Sequence, residues 1–320
     1  MKIAILALNG VFDTGLATLQ DTFGTANELA AMSGLAVPRF EVSLIGVRKQ
    51  VRTSQGLGVP VTLFDRKAKP DWIVVPAIGE KMPEGLQVAL CRADVRDAGK
   101  ALHFLADQGV HIAAACIGTF VLAESGLLDG EVATTTWWLA PMFRQRYPRV
   151  QLDDTRMVVK SGRVMTAGAA LGHMDLALAL IRQVSPELAA LTAKYLIVDS
   201  RPSQSAYAIV DHLNHTDPMV ERFETWARAR LGQAFSLDDA AQSLATSKRT
   251  LARRMREVLG KTPLSYFQDL RVERAVHLLK TGNQNIEHIA TQVGYADGVT
   301  LRTLLRRRLG RGLRELRLSE

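Results

Sequence analysis

Short apolar runs alternate with helical stretches through the first 190 residues of this 320-residue chain. Strands are predicted at residues 3–8, 40–46, 72–76, 111–115 and 164–166, and helices at residues 17–32, 93–108, 118–125 and 174–183. Parallel strands need long crossover connections, which helices usually supply, so the alternation predicts an α/β fold with a mostly parallel sheet covered on both faces. Ligands of such sheets bind beyond the carboxyl ends of the strands.

The positive charge of the chain is concentrated at its carboxyl end. Residues 216–320 contain 19 lysines and arginines against 12 acidic residues, a net charge of +7, whereas residues 1–215 have a net charge of only +1. Clustered cations attract nucleic-acid phosphates by counterion release, so the basic third is predicted to bind nucleic acid. A solvated basic surface is the alternative that charge alone leaves open.

Composition excludes other classes of protein. The chain is 47% apolar and 22% charged, which is typical of globular domains. The amino-terminal apolar run ends at Asn9, too early for a secretory signal, so a cytoplasmic protein is expected. The only cysteines, Cys91 and Cys116, cannot form a disulfide framework or a four-cysteine zinc site. We expect neither a metal ion nor a cofactor.

Cys116 stands where a predicted strand turns into a helix. Ala115 before it and Gly118 after it are small enough for the sharp turn of a nucleophile elbow. Such a turn would project the sulfur over the edge of the sheet, and the amino terminus of the next helix would favour a thiolate. The alternative is a cysteine that packs as a small apolar side chain.

Several separated blocks of the first 190 residues resemble the PfpI-type, class I glutamine-amidotransferase-like domain. They lie at residues 71–76, 115–130, 133–137, 166–170 and 175–178. The blocks are most similar to the version of this domain found in GlxA-type transcriptional regulators. The resemblance implies a flavodoxin-like parallel sheet over about residues 1–190.

The chain departs from the hydrolases of this family at two positions. The resemblance implies a histidine before Trp137, but this chain has Thr136, which cannot accept a proton at neutral pH. The acidic residue implied after the first strand is missing near Gly15, and Asp13 is the one carboxylate in that loop. His173 is the remaining candidate for a substitute base.

We therefore predict a ligand sensor with no catalytic residue. The predicted pocket consists of Asp13, Ala77, Ile78, Cys116, Ile117, Thr136 and Trp137, with the backbone amides of Ala77 and Ile78 able to bind an anion. The resemblance implies a nitrogenous effector such as an amino acid or a methylated amine. A cysteine-dependent amidase- or glyoxalase-like hydrolase with an appended DNA-binding domain is the alternative.

The carboxyl-terminal third repeats one arrangement twice. Ser236 and Asn285 are predicted to cap the first helix of each unit. The second helices are predicted at residues 248–259 and 300–309, and a helix at residues 263–280 lies between the units. Two helices joined by a tight turn are typical of DNA-binding helix-turn-helix units, so the pattern predicts an all-α region with two of them.

This region resembles the AraC/XylS-type DNA-binding domain over about residues 218–320. The matching blocks lie at residues 247–255, 260–266, 270–279 and 289–295. In the second unit, Thr303 stands where the family commonly has an arginine, which shifts the expected contacts of that helix toward phosphates. The predicted domains are therefore a sensor at residues 1–190, a linker at residues 191–217 and a DNA-binding domain at residues 218–320.

Three arginines of the first recognition helix are predicted to read DNA bases. Arg249, Arg253 and Arg256 share one helix face, and arginine donates two hydrogen bonds to guanine. The other predicted DNA-binding residues are Lys248, Thr250, Arg254, Thr300, Arg302, Thr303, Arg306 and Arg307, whose cations are expected at phosphates. The expected partners are double-stranded DNA, a small-molecule effector and a second copy of the chain in a homodimer.

Overall fold

The computed structural model describes residues 1–199, 201, 203–204, 215, 217–282, 284–309 and 316. These residues form two compact units. The first comprises residues 1–139 and 146–204, and the second comprises residues 140–145 and the described part of residues 205–320. No helix among the described residues is long and apolar enough to cross a membrane.

The first unit is built on a seven-stranded sheet. Its strands are β1 (Lys2–Leu6), β2 (Glu41–Gly46), β5 (Thr62–Leu63), β6 (Trp72–Val75), β7 (His111–Ala115), β10 (Val158–Ser161) and β11 (Val164–Ala167). They are ordered β10-β11-β7-β6-β1-β2-β5, and every neighbouring pair is parallel except β10 with β11. Two short pairs complete the strands, β3 (Val51–Arg52) with β4 (Gly58–Val59) and β8 (Val132–Ala133) with β9 (Gln151–Leu152). The predicted mostly parallel sheet is confirmed.

Helices cover both faces of this sheet. The helices before residue 200 are α1 (Asp13–Met32), α2 (Pro83–Leu90), α3 (Ala93–Asp107), α4 (Gly118–Glu124), α5 (Ala140–Arg146), α6 (Gly172–Val184) and α7 (Pro186–Tyr195). Alternate strand residues such as Ile5, Val74 and Ala113 pack with α1, α6 and α7 in one core. The residues between them, such as Ile73 and Ile112, are also buried and face the opposite side, as the two-residue period of a strand requires.

The second unit contains two small cores. Besides residues 140–145 of α5, its helices are α8 (Pro218–Arg228), α9 (Leu237–Ser243), α10 (Lys248–Leu259), α11 (Pro263–Thr281), α12 (Ile286–Gln292) and α13 (Gly298–Leu309). One core joins α8, α9 and α10 to the first half of α11, and the other joins α12 and α13 to its second half. Ser236 and Asn285 cap α9 and α12 as predicted, each accepting a backbone N–H.

The first compact unit continues past the predicted boundary at residue 190. Helix α7 runs to Tyr195, and Gln204 is the last residue of the unit. Of the predicted linker at residues 191–217, the structure describes residues 191–199, 201, 203–204, 215 and 217. At the carboxyl-terminal end of the predicted DNA-binding domain, residues 310–315 and 317–320 also lie outside the described residues.

Candidate functional site

Cys116 occupies a strained turn between β7 and α4. Its φ angle is +56°, a left-handed conformation that costs energy for any residue with a Cβ atom. Its backbone N–H donates to the carbonyl of Ala167 at 2.7 Å, which ties the turn to β11. A Cβ at Gly118 would lie 2.3 Å from the carbonyl oxygen of Val75, so the helix can start this close to β6 only with glycine. The predicted elbow is confirmed.

The thiol of Cys116 is neutral at physiological pH. The residue is 3% exposed, and burial raises the pKa of its thiol to about 12. The Ile117 amide and the neighbouring Thr136 hydroxyl lower this pKa but offset only part of the effect. The raised pKa is opposite in direction to the thiolate expected at the start of α4, because the cost of burying a charged sulfur is the largest effect on it.

Three consecutive threonines pack against the elbow. Thr134, Thr135 and Thr136 are all fully buried. The Thr135 hydroxyl donates to the carbonyl of Cys116 at 2.8 Å, and the Thr134 amide donates to the hydroxyl of Thr166 at 2.8 Å. Thr136 therefore stands beside the thiol without a group that could take its proton.

His173 is a structural histidine and cannot serve as the substitute base. It is fully buried, and burial lowers the pKa of its imidazole to about 4, although a hydrogen bond to the Ala170 carbonyl raises it slightly. The backbone N–H of Ala77 donates to Nε2 at 3.1 Å, so Nδ1 carries the ring proton and donates to Ala170 at 2.8 Å. Both ring nitrogens are occupied. The amide of Ala77 is likewise committed, which corrects its predicted role in anion binding.

Asp13 is held by a neighbouring loop. Its Oδ2 accepts from the hydroxyl of Ser54 at 2.8 Å and from the amide of Gln55 at 3.1 Å. Burial raises the pKa of this carboxyl, but hydrogen bonds from Thr53, Ser54 and Gln55 outweigh it and hold the pKa below its ordinary value. The carboxylate thus fixes the start of α1 to the loop after β3.

The predicted pocket residues are brought together in part. Cys116, Ile117 and Thr136 form one buried group, and Trp137 follows it, half-buried and packed edge-to-face on Trp138 at 5.5 Å between ring centroids. Ile78 is also buried, and its backbone forms an isolated β-bridge with Val11. Beside this bridge, the carbonyl of Ala77 accepts the backbone N–H of Phe12. Among the described residues, no group of three histidine, cysteine or acidic side chains could hold a metal ion.

Sequence reasoning missed Gln204 as a site residue. Its side chain is fully buried and donates to the carbonyl of Thr135 at 2.9 Å, one residue from Thr136. Gln204 lies in the predicted linker at residues 191–217, and no local pattern there indicates that a glutamine is buried in the first unit. Burial of this polar side chain depends on partners about 70 residues earlier in the chain.

The first helix-turn-helix unit presents its basic helix to solvent. Arg249, Arg253 and Arg256 are exposed on α10, as predicted. Arg253 pairs with Glu257 at 2.7 Å, an exposed pair one helical turn apart that is worth only about 0.3–0.5 kcal/mol and can open for DNA. Arg249 and Arg256 form no ion pair with another described residue.

Arg254 and two other predicted contacts have partners within the unit. The guanidinium of Arg254 lies 2.5 Å from Oδ2 of Asp217, the buried cap of α8, so it joins α10 to α8. Lys248 pairs with Asp238 at 2.8 Å, and the Thr250 amide donates to Ser247 in the cap of α10. Arg254 therefore has a structural partner within the unit, and its phosphate contact stays a prediction.

The second helix-turn-helix unit exposes a cationic face on α13. Arg302, Thr303, Arg306 and Arg307 are exposed there, and Thr300 is exposed in its first turn. The Thr300 amide donates to Asp297 at 2.6 Å, and the Thr303 hydroxyl donates back to the carbonyl of Val299 at 2.9 Å. The hydroxyl of Thr303 is thus turned to its own helix, so cations dominate the surface that α13 offers.

Arg271 of α11 joins the two helix-turn-helix units. Its guanidinium donates to the carbonyl oxygens of Leu231 and Gln233, and it stacks 4.6 Å from the ring centre of Phe267 and 5.0 Å from that of Tyr295. The side chain is 7% exposed, so these contacts are desolvated and strong. Arg271 therefore ties the segment between α8 and α9 to the residue that follows α12, in addition to the joining of the two cores by α11.

Two family models match the two ends of the chain separately, and relatives align over longer stretches. Residues 1–183 match the DJ-1/PfpI family, and residues 240–319 match a family described as a helix-turn-helix domain. The HTH-type transcriptional regulator ArgR of Pseudomonas aeruginosa is 29% identical over 204 residues, covering 62% of each chain. The regulator GbdR of that species is 27% identical over 300 residues, covering 92% of this chain and 78% of GbdR. The alignment thus spans just under two thirds of ArgR.

Two further comparisons are with another regulator and with a solved structure. The HTH-type transcriptional regulator GlxA of Rhizobium meliloti is 26% identical over 212 residues, covering 64% of each chain. The crystal structure of an AraC family transcriptional regulator from Pseudomonas putida superposes with a TM-score of 0.51 at 20% identity. That alignment covers 61% of this chain and 98% of the other, and it shows a shared fold.

Proposed function

Because the chain belongs to the DJ-1/PfpI family and carries an AraC-type helix-turn-helix domain, we propose that it is a transcription regulator that binds specific DNA in response to a small molecule. The observation that carries this proposal is the exposed arginine face of α10 in a fully capped helix-turn-helix unit. Relatives aligned over most of the chain are named transcriptional regulators, which supports it.

The first unit acts as a sensor in this proposal. A nucleophilic cysteine needs a thiolate and a base within about 2.6–3.2 Å, oriented by a third group. Here burial keeps the thiol neutral, Thr136 cannot accept its proton, and both nitrogens of His173 are occupied. The hydrolase-like site has therefore lost its catalytic groups and kept its turn.

The effector is a small nitrogenous molecule in this proposal. Beside the elbow, hydroxyl and carbonyl groups of Thr134 and Thr135 provide acceptors for N–H donors. The half-buried indole of Trp137 offers an aromatic face, which attracts an ammonium group. Amino acids and amines satisfy both requirements.

DNA binding in this proposal uses both helix-turn-helix units. The arginines of α10 read base edges, and the cations of α13 bind phosphates. The regulator works as a homodimer, since symmetric DNA sites are read by symmetric pairs of proteins, and it acts in the cytoplasm with the DNA.

A cysteine-dependent hydrolase is the second candidate. The strained elbow at Cys116 favours it, since such turns present nucleophiles in hydrolases. The neutral thiol and the absence of a base among the described neighbours of Cys116 argue against it.

The proposal is tested by selecting preferred DNA sites from a random pool with the full-length protein. Binding to the selected sites is then measured across a range of salt concentrations. We expect a sequence preference and a steep loss of affinity with salt, because clustered cations release counterions when they contact phosphates. A protein that enriches no site, or whose affinity is the same at low and high salt, contradicts the proposal.

A further inference from the structure

Gln204 is a fully buried amide at the end of the first compact unit. Along the chain, it is the point from which the polypeptide continues to α8 and the DNA-binding unit. A buried carboxamide is costly unless its donors and acceptors are paired, so its hydrogen bonds define what holds it in place.

Only the NH₂ group of this amide has hydrogen-bond partners. Nε2 donates to the carbonyl of Thr135 at 2.9 Å and to the hydroxyl of Thr134 at 3.1 Å, and a longer contact of 3.4 Å reaches the carbonyl of Arg156. Oε1 is buried and has no hydrogen-bond partner. The side chain is therefore inserted with an unpaired acceptor, which makes its docked state less stable than a fully paired group in the same place.

The amide lies against the Cys116 turn on two sides. On one side, Thr135 receives the Nε2 hydrogen bond and donates its hydroxyl to the carbonyl of Cys116 at 2.8 Å. On the other, a Cβ added to Gly168 would lie 2.4 Å from Nε2, and the preceding residue, Ala167, accepts the N–H of Cys116. Gln204 thus contacts, on both sides, residues that hold the Cys116 turn, next to the proposed effector site.

The backbone next to Gln204 is fastened to the same unit. Arg201 pairs with Asp175 at 2.6 Å, and the Ser203 hydroxyl donates to the carbonyl of Thr155 at 2.7 Å. The amide of Gln204 donates to the same carbonyl at 2.9 Å. Arg201, Ser203 and Gln204 are therefore docked on the first unit, with the Gln204 side chain innermost, and we call these three residues the Gln204 strap.

We propose that the Gln204 strap is an internal plug that the effector displaces. The effector is a molecule with N–H donors, such as a carboxamide, a primary ammonium or a guanidinium, because the acceptors of Thr134 and Thr135 are those that the NH₂ group of Gln204 now occupies. A quaternary ammonium has no N–H group and does not displace it. Release of the strap frees the start of the chain that leads to the DNA-binding unit. This inference rests on the proposed sensor function.

The plug proposal predicts that removing the Gln204 side chain raises the affinity for probes with N–H donors. Binding of acetamide, methylammonium and guanidinium to the full-length protein is measured by calorimetry, with tetramethylammonium as the probe without N–H donors. Replacing the plug by Gln204→Ala removes a competitor, so at least one N–H probe is expected to bind about tenfold more tightly than it does to the wild type. The matched control is Gln151→Ala, which changes an exposed glutamine of the same unit and leaves the affinity unchanged.

Hydrogen exchange gives a second readout, on the strap itself. The backbone amide of residue 204 is protected by Thr155 in the wild type, and it is expected to exchange faster in Gln204→Ala and in wild type saturated with a bound probe. Ser203→Ala, which removes the hydroxyl bond to Thr155 and leaves the acceptors of Thr134 and Thr135 in place, is the second variant should Gln204→Ala fail to fold. It is expected to shift both readouts in the same direction by a smaller factor.

The outcomes distinguish a failure of the plug proposal from a failure of the sensor proposal. A further variant, Thr136→Val, changes a residue of the predicted effector pocket. If Gln204→Ala binds the probes equally or more weakly than wild type while Thr136→Val weakens their binding, the plug proposal is overturned and the sensor proposal stands. Preferential binding of tetramethylammonium also overturns the plug. No binding of any probe to the wild type or to Gln204→Ala overturns both proposals.

Discussion

A Cβ atom added to Gly15 would lie 2.5 Å from Nε2 of His173, so the glycine and the imidazole share one space in the first unit. The family resemblance places the acidic residue of the hydrolases near Gly15. Here that space is filled by a neutral histidine bonded to Ala77 and Ala170. A carboxylate side chain at residue 15 would have to displace this ring. The absence of the acidic residue and the structural role of His173 therefore have the same steric cause.

The close approach of Gly15 to His173 predicts that Gly15→Ala destabilises the first unit. The added methyl group must push back a fully buried ring, and such overpacking costs about 1–3 kcal/mol. Gly24→Ala in the same helix has no atom within 4 Å and should stabilise by about 0.5–1 kcal/mol. Urea unfolding followed by tryptophan fluorescence measures both, since three of the four tryptophans lie in this unit. Equal effects of the two substitutions would refute the steric argument.

His173 also predicts a pH dependence of stability. In the unfolded chain the imidazole takes up a proton near its ordinary pKa of 6.5, whereas in the folded unit burial lowers the pKa to about 4. The unfolded state therefore binds more protons between these values, and the free energy of unfolding falls by about 3 kcal/mol as the pH drops from 6.5 to 4. His173→Gln should flatten this part of the curve, while His103→Gln, at an exposed position, should leave it unchanged. A slope that survives His173→Gln contradicts the assignment.

The sequence predicts features that depend on neighbours in the chain. The turn at Cys116 follows from small residues between a strand and a helix, and the caps at Ser236 and Asn285 follow from side chains that bond amides three residues later. Contacts between distant residues leave no such local pattern. The ring of His173 bonds an amide 96 residues away, and Gln204 finds acceptors about 70 residues earlier, so their roles required the folded structure.

Cys116 is predicted to be unreactive as a nucleophile. With its pKa raised to about 12 by burial, almost none of the thiol is ionised at pH 7, and thiolate is the reactive form. Iodoacetamide should therefore label the exposed Cys91 in the native protein and leave Cys116 unlabelled, which mass spectrometry can follow. We also expect no turnover of amide or ketoaldehyde substrates, and normal folding and DNA binding in Cys116→Ser. Turnover that Cys116→Ser abolishes would promote the hydrolase alternative.

Arg254 is predicted to stabilise the second unit. Its replacement by alanine leaves the buried carboxylate of Asp217 without its cation, which costs about 1–3 kcal/mol. Arg256→Ala is the matched control on the same helix, because Arg256 is exposed and forms no ion pair with another described residue. Thermal unfolding of the two variants makes the comparison. Similar melting temperatures would return Arg254 to the DNA-contacting set.

The arginines of α10 and α13 are predicted to differ in what they read. Arg249→Ala with Arg253→Ala removes two side chains that face base edges in the proposed complex, each worth about 1–3 kcal/mol of discrimination. Arg307→Ala removes a phosphate contact from the exposed face of α13, so it should weaken specific and random DNA alike and make the salt dependence shallower. Titrations of a selected site and of a random duplex, at the same salt concentration, separate the two effects. The double variant should lose affinity mainly for the selected site, whereas equal losses on both duplexes would show that α10 binds only phosphates.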